Sequence, residues 1–175
     1  MEKSWYAVYT KLNCELKVAA HLSKKKIENF CPVNSVPNNT GFKKRRTTVP
    51  LFKSIVFVYI SRSEIQIVKK TNEVFNLLYW LGAPAVISNE EIRNLERFTN
   101  DYSDIKIEKI PVDRLSAMQV TKVPYTGNFD KNSSFNQAIV TMILPSLGYS
   151  IMASVELAIN NVYDLASNTR RRSVL

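Results

Sequence analysis

The chain has 175 residues, 45% of them hydrophobic and 22% charged. That balance excludes a disordered polyelectrolyte and fits one domain or two small ones. Its net charge of +9 favours polyanionic partners, with acidic protein surfaces and anionic membranes as alternatives.

The charge is uneven. Residues 1–110 hold 18 Lys/Arg against 11 Asp/Glu, a net +7, and residues 111–175 hold 6 against 4, a net +2. Apolar runs such as Ile55–Ile60 are far too short to span a bilayer. The charged start leads into a strand-like segment rather than a signal h-region. A cytoplasmic protein with no membrane partner is therefore expected. Cys14 and Cys31 are the only cysteines, and reduced thiols are expected in that compartment. With His21 as the single histidine, they make no familiar zinc motif, so no metal or cofactor is expected.

In chain order, Trp5–Thr10 has the aromatic and β-branched content of a strand. Asn13 is the expected cap of a helix running to about Lys26. Cys14, Val18 and Leu22 form its apolar stripe. Asn13, Lys17, His21 and Lys24 fall on another face, with Lys11 entering just before the helix. This spacing predicts a cationic ridge beside the core face. Phe30–Val36 reads as a strand, and Pro37-Asn38-Asn39-Thr40-Gly41 as a turn. The basic run Lys43-Lys44-Arg45-Arg46 reads as part of a hairpin arm feeding a long strand, Val49–Ile60. Within that strand Ile55 and Phe57 share one face and Val56 and Val58 the other.

Ser63 is expected to cap a short helix through Lys70, and Val74–Trp80 to form another strand. Leu81-Gly82-Ala83-Pro84 breaks it, and Ala85–Ile87 pairs briefly. Ser88 to Glu91 is a capping-box pattern opening a helix with Ile92, Leu95 and Tyr102 at helical spacing. The order β-α-β-β-α-β-α suits an α+β sheet covered by helices. Asp101–Asp113 reads as a linker, although Ile105, Ile107 and Ile110 allow a short extended segment. Short strands at 118–123, 138–144, 149–157 and 161–165 then suggest a small barrel, with a basic tail bearing Arg170-Arg171-Arg172.

No enzyme is expected. There is no phosphate-binding Gly-rich loop, nucleophile elbow or paired-carboxylate motif. Cys14 and His21 lie seven residues apart, almost two helical turns, too far for a direct hydrogen bond. Trp5 and Trp80 read as packing residues rather than base-stacking platforms.

Trp5-Tyr6-Ala7-Val8-Tyr9-Thr10-Lys11 with Asn13 and Glu15, then Val49–Val58, then Tyr79–Ile87, resembles the N-terminal domain of NusG-family transcription elongation factors. Leu147-Gly148-Tyr149-Ser150 with Val155-Glu156 extends the resemblance towards the RfaH/UpxY antiterminators. The resemblance implies a NusG N-terminal-like antiparallel sheet flanked by helices over residues 1–102. A linker at 103–115, a degenerate KOW/SH3-like β-barrel at 116–167 and a basic tail at 168–175 would follow. It implies a transcription antiterminator that binds the clamp helices of bacterial RNA polymerase and suppresses pausing and termination at particular operons such as polysaccharide loci, with the non-template DNA strand as a second partner; the alternatives are a general NusG-type elongation factor and a KOW-type RNA- or ribosome-binding protein. A ribosomal protein or termination factor is a further candidate, through the C-terminal domain. Phe52, Ile55, Phe57, Leu77, Tyr79 and Ile92 match the polymerase-binding concavity. Lys11, Lys17 and His21 match a DNA-contacting ridge, and Lys43, Lys44, Arg45 and Arg46 a nucleic-acid-binding arm. Two departures stand out. Leu12 occupies a position usually taken by proline, and Lys53-Ser54 one usually taken by Pro-Gly or a similar pair. The KOW glycines are reduced to Gly127 and its surroundings.

Overall fold

The computed structural model describes residues 2–38, 45–110, 128–129 and 137–156. Strand β1 (Ser4–Thr10) sits at the centre of the main sheet. It pairs antiparallel with β5 (Ile55–Ile60) on one side. On the other it pairs with β6 (Val74–Leu77) and β9 (Val86–Ile87). Strand β2 (Glu28–Phe30) adds to the outer edge of β5.

Alternation along β5 divides the protein into two apolar layers, as the pleat requires. Val56, Val58 and Ile60 face helix α1 (Glu15–Lys24) and helix α2 (Ile65–Lys69), packing with Val8, Val18, Leu22, Val68 and Leu77. Ile55 and Phe57 face the other way, into a cluster shared with helix α3 (Asn89–Asp101) through Ile92, Leu95 and Phe98. The expected stripe of α1 holds, with Val18 and Leu22 fully buried. Its expected cap does not. Cys14 is the capping residue and makes no side-chain bond, while Asn13 adopts a left-handed φ of 61° just outside the helix.

Several expected strands are split. Phe30–Val36 breaks at Pro32 into β2 and β3 (Val33–Asn38), which belong to different sheets. Val49–Ile60 breaks into β4 (Arg45–Pro50) and β5. Strands β3 and β4 form the expected hairpin arm, and Leu51 N donates to Pro32 O (2.8 Å) at its base. Val74–Trp80 ends its pairing at Leu77. Tyr79–Trp80 (β7) instead folds back on Ala83–Pro84 (β8), with Leu81 and Gly82 at φ 49° and 81°. Two successive positive φ values are what a tight two-residue hairpin turn needs. The α2 region begins with a single 3-10 turn at Arg62–Glu64 capped by Ser61, not Ser63, through a capping box to Glu64.

The C-terminal region contributes a four-stranded antiparallel sheet in the order β10-β13-β12-β11. Its strands are β10 (Lys106–Lys109), β11 (Asn128–Phe129), β12 (Gln137–Leu144) and β13 (Tyr149–Glu156). Strand β10 falls in the span read as a linker and pairs with β13, as the spacing of Ile105 and Ile107 allowed. The expected strands at 118–123 and 161–165 and the arginine tail lie outside the described residues. Among the described residues no helix is long and apolar enough to cross a membrane. Cys14 and Cys31 are both free thiols.

Candidate functional site

The outer face of β5 is where an open hollow was expected, and the chain covers it itself. Phe52, Ile55, Phe57 and Ile92 are buried in one cluster with Val140, Leu144, Ile151 and Ala153 of the C-terminal sheet. The Phe52 ring meets Phe57 edge-on at 5.8 Å and Tyr149 at 5.8 Å, so one aromatic bridges the two regions. Leu77 is buried on the opposite side of the main sheet, beneath α1 and α2, because it pairs with Val8 rather than with an outward-facing residue. Tyr79 lies at the hairpin β7–β8, partly exposed, with its hydroxyl accepting from Lys69 Nζ (3.2 Å). The six residues therefore do not share a surface.

The cover is fixed by polar contacts at its edges. Ser146, in the turn between β12 and β13, donates both its backbone N (3.0 Å) and its hydroxyl to the Glu91 carboxylate. Glu91 is also the capping-box residue of α3, where its own backbone N donates to Ser88 Oγ (3.1 Å). At the other end, buried Asn34 gives Nδ2 to Ile105 O (2.9 Å) and takes Ile105 N on Oδ1 (3.1 Å), copying a strand partner. Arg46 of the arm pairs with Asp104 (2.9 Å), and Asp104 N donates to Ser35 O (3.1 Å). A cleft of about 600 Å³ remains between the two regions, lined by Tyr9, Ile55, Trp80, Val86, Leu147 and Tyr149 among others. Partial burial, with Tyr149 nearby, raises the pKa of the Tyr9 phenol. Trp80 was expected to be a packing residue, yet it is 65% exposed on the rim of this cleft, while Trp5 is half-buried against Tyr59.

Lys17 and His21 share one face of α1 as their spacing predicts, while Asn13 falls outside the helix, and that face carries a counter-charge. Lys17 Nζ lies 2.7 Å from Glu73 Oε1, and His21 Nδ1 lies 3.8 Å from Glu73 Oε2. Lys11 enters beside them, its backbone N donating to Glu73 O (2.8 Å). The hydrogen bond from Lys17, with the charges of Lys17, His21 and Lys11 behind it, holds the Glu73 carboxyl below the usual range, although desolvation opposes this. The same bond raises the Lys17 ammonium. Glu73 was missed in the sequence. The available signal was that it is the single acidic residue between Glu64 and Glu90, opposite a helix face of lysines. In the arm, Arg45 and Arg46 are exposed on β4, and Lys43 and Lys44 lie outside the described residues. Among the described residues no group of three or more His, Cys, Asp or Glu could hold a metal ion.

A central antiparallel sheet, helices on one face and a capped helix on the other define a mixed α/β protein. Residues 3–96 match the family model described as NusG, transcription termination factor nusG. That is more than half of the chain, which belongs to the NusG family of transcription factors. A solved structure of Thermotoga maritima NusG, concerned with its domain interaction, is similar at 18% identity and a TM-score of 0.46, over 91% of this chain and 95% of that one. No curated protein matches the chain.

Proposed function

We propose that this chain is an antiterminator of the RfaH/UpxY type. It binds the clamp helices of elongating RNA polymerase and suppresses pausing and termination at particular operons, such as polysaccharide loci. The observation that carries the reading is the covered apolar face. Phe52, Ile55, Phe57 and Ile92 lie in a cluster completed by a sheet from the C-terminal region, held at its turn by one carboxylate. An apolar face that a second unit can cover or leave is suited to gripping a partner's helices. Tyr79 supports it from the rim, and Leu77 from behind the sheet.

The action is non-enzymatic. Binding favours the elongating polymerase conformation by its differential affinity for that state. The ridge of Lys11, Lys17 and His21 and the arm bearing Lys43, Lys44, Arg45 and Arg46 supply contacts to the non-template strand. Lysine and arginine neutralise phosphates there in a salt-sensitive way. The C-terminal sheet, completed as a KOW-like barrel, would serve a ribosomal protein or termination factor once released. The factor works in the cytoplasm, where polymerase is.

A general NusG-type elongation factor fits the family match equally well. The discriminating experiment loosens the cover with Leu144→Ala plus Ser146→Ala and measures capture of core polymerase and read-through of pause sites on candidate leader templates. The loosened protein is expected to bind polymerase several-fold more tightly than the parent. A loosened variant with an intact main sheet that captures no polymerase would overturn the reading.

A further inference from the structure

Two basic side chains, Lys17 and His21, converge on one acid at the ridge, with the Lys11 backbone beside them, and this geometry has a use beyond packing. Glu73 lies in the turn before β6, between Thr71 and Val74, while Lys17 and His21 lie one helical turn apart on α1. Lys17 Nζ reaches Oε1 at 2.7 Å, His21 Nδ1 stands 3.8 Å from Oε2, and Oε2 is buried without a hydrogen-bond partner. A carboxylate oxygen that is desolvated beside the Lys17 ammonium, yet accepts no hydrogen bond, is held by charge rather than by a network. Glu73 also adopts φ 64°, a left-handed conformation that glycine and asparagine take readily and glutamate does not. The turn geometry alone does not account for glutamate at this place.

We infer that Glu73 is an internal counter-charge that occupies the phosphate position of the Lys11–Lys17–His21 ridge and sets the threshold for nucleic-acid binding there. This rests on the reading of the ridge as a nucleic-acid contact. An unneutralised ridge would bind any polyanion through counterion release. With Glu73 seated on Lys17, a passing strand must displace a carboxylate before a phosphate can take its place. Weak, indiscriminate binding is suppressed, and a strand presented at high local concentration still succeeds. Glu73 thus acts on selectivity, leaving the binding side chains themselves unchanged.

The test uses the full chain and a fluorescent single-stranded DNA 20-mer, with anisotropy measured across a KCl series. Glu73→Gln is expected to tighten binding about three- to tenfold at low salt. It is also expected to steepen the log–log salt slope by about 0.7 to 1.4, the equivalent of one or two added phosphate contacts. Glu73→Asn, which suits the left-handed backbone, is expected to behave alike and guards against a folding artefact. Adding Lys17→Ala to Glu73→Gln is expected to cancel most of the gain. If Lys11→Ala and Lys17→Ala weaken binding while both Glu73 variants match the parent, the inference fails and the ridge reading survives. If no ridge substitution alters binding, the two fall together.

Discussion

Glu91 and Ser146 are 55 positions apart and share one carboxylate interaction: both the backbone N and the hydroxyl of Ser146 donate to the Glu91 side chain. The same carboxylate reaches back to the Ser88 N (3.3 Å) that opens α3. A residue whose sequence context announces a helix cap therefore also holds down the turn of the C-terminal sheet. Ser146→Ala keeps the cap and removes one charged hydrogen bond, a change of about 1.5–3 kcal/mol in the docking. Glu91→Ala removes the docking bonds and also the capping contact, which adds about 1 kcal/mol at the helix end. Amide exchange should separate the effects, with β13 speeding up in both variants and α3 only in Glu91→Ala. Unchanged β13 exchange in both would mean that the contact adds nothing to docking.

Phe57 and Tyr149 lie on either side of Phe52 and should respond differently. Phe57 is fully buried and also stacks on Phe30 at 6.2 Å. Phe57→Ala should cost about 3–5 kcal/mol of global stability, so polar replacements there unfold the sheet instead of cleanly erasing a partner surface. Tyr149 is half-buried at the docking face, and Tyr149→Ala should weaken docking while leaving the melting of the main sheet nearly unchanged. Denaturant unfolding followed separately at Trp5 and Trp80 would check both, and equal losses in the two variants would contradict this division.

Ser54 holds φ 60° in the turn that leads into β5. Its backbone N donates to buried Glu15, and its carbonyl accepts from Thr10 N (2.9 Å). Both bonds survive replacement by glycine. Relief of left-handed strain, less the extra freedom glycine adds to the unfolded chain, gives an expected gain of about 0.5–1 kcal/mol for Ser54→Gly. The urea midpoint should rise with the slope unchanged. A lower midpoint would mean that the serine side chain contributes something the hydrogen bonds do not.

Cys31 is largely buried, and desolvation, with Glu15 nearby, pushes its thiol up to about 11. Only the thiolate reacts, so at pH 8 its alkylation should be about a hundredfold slower than that of a thiol at the ordinary 9.0. The sign is that of a raised folded pKa. The stability gained by burying the neutral thiol is complete below 9.0 and is lost as pH rises through about 11. Iodoacetamide labelling read by mass spectrometry across that range is the check. Fast labelling at pH 8 in the folded protein would refute the burial argument.

Local signals were easy to read. The division of β5 into Ile55/Phe57 and Val56/Val58 faces follows from the pleat, and the Ser88–Glu91 cap from residue identity alone. The breaks at Pro32 and at Leu51–Ser54 were harder, because each continuous apolar run masks the point where the chain changes sheets. Long-range partnerships were not legible. Periodicity shows that Ile55 faces an apolar layer, but not that Leu144 and Ile151 supply part of it. Helical spacing collects Lys17 and His21, but their acid arrives from 56 positions beyond Lys17, in a turn with no regular pattern.

Strand β10 belongs to two neighbourhoods at once. It zips to β13 through four residue pairs, while Asn34 clamps the residue just before it, Ile105, to the hairpin arm. If the C-terminal sheet leaves as proposed, the chain must therefore bend at Asp104–Ile105 or peel β10 from its neighbour. In the first case the freed sheet stays tethered to α3 by only the few residues between Asp101 and Lys106. Such a short tether keeps its local concentration very high, so reclosure is fast and a visiting partner has to hold the door open rather than merely find it ajar.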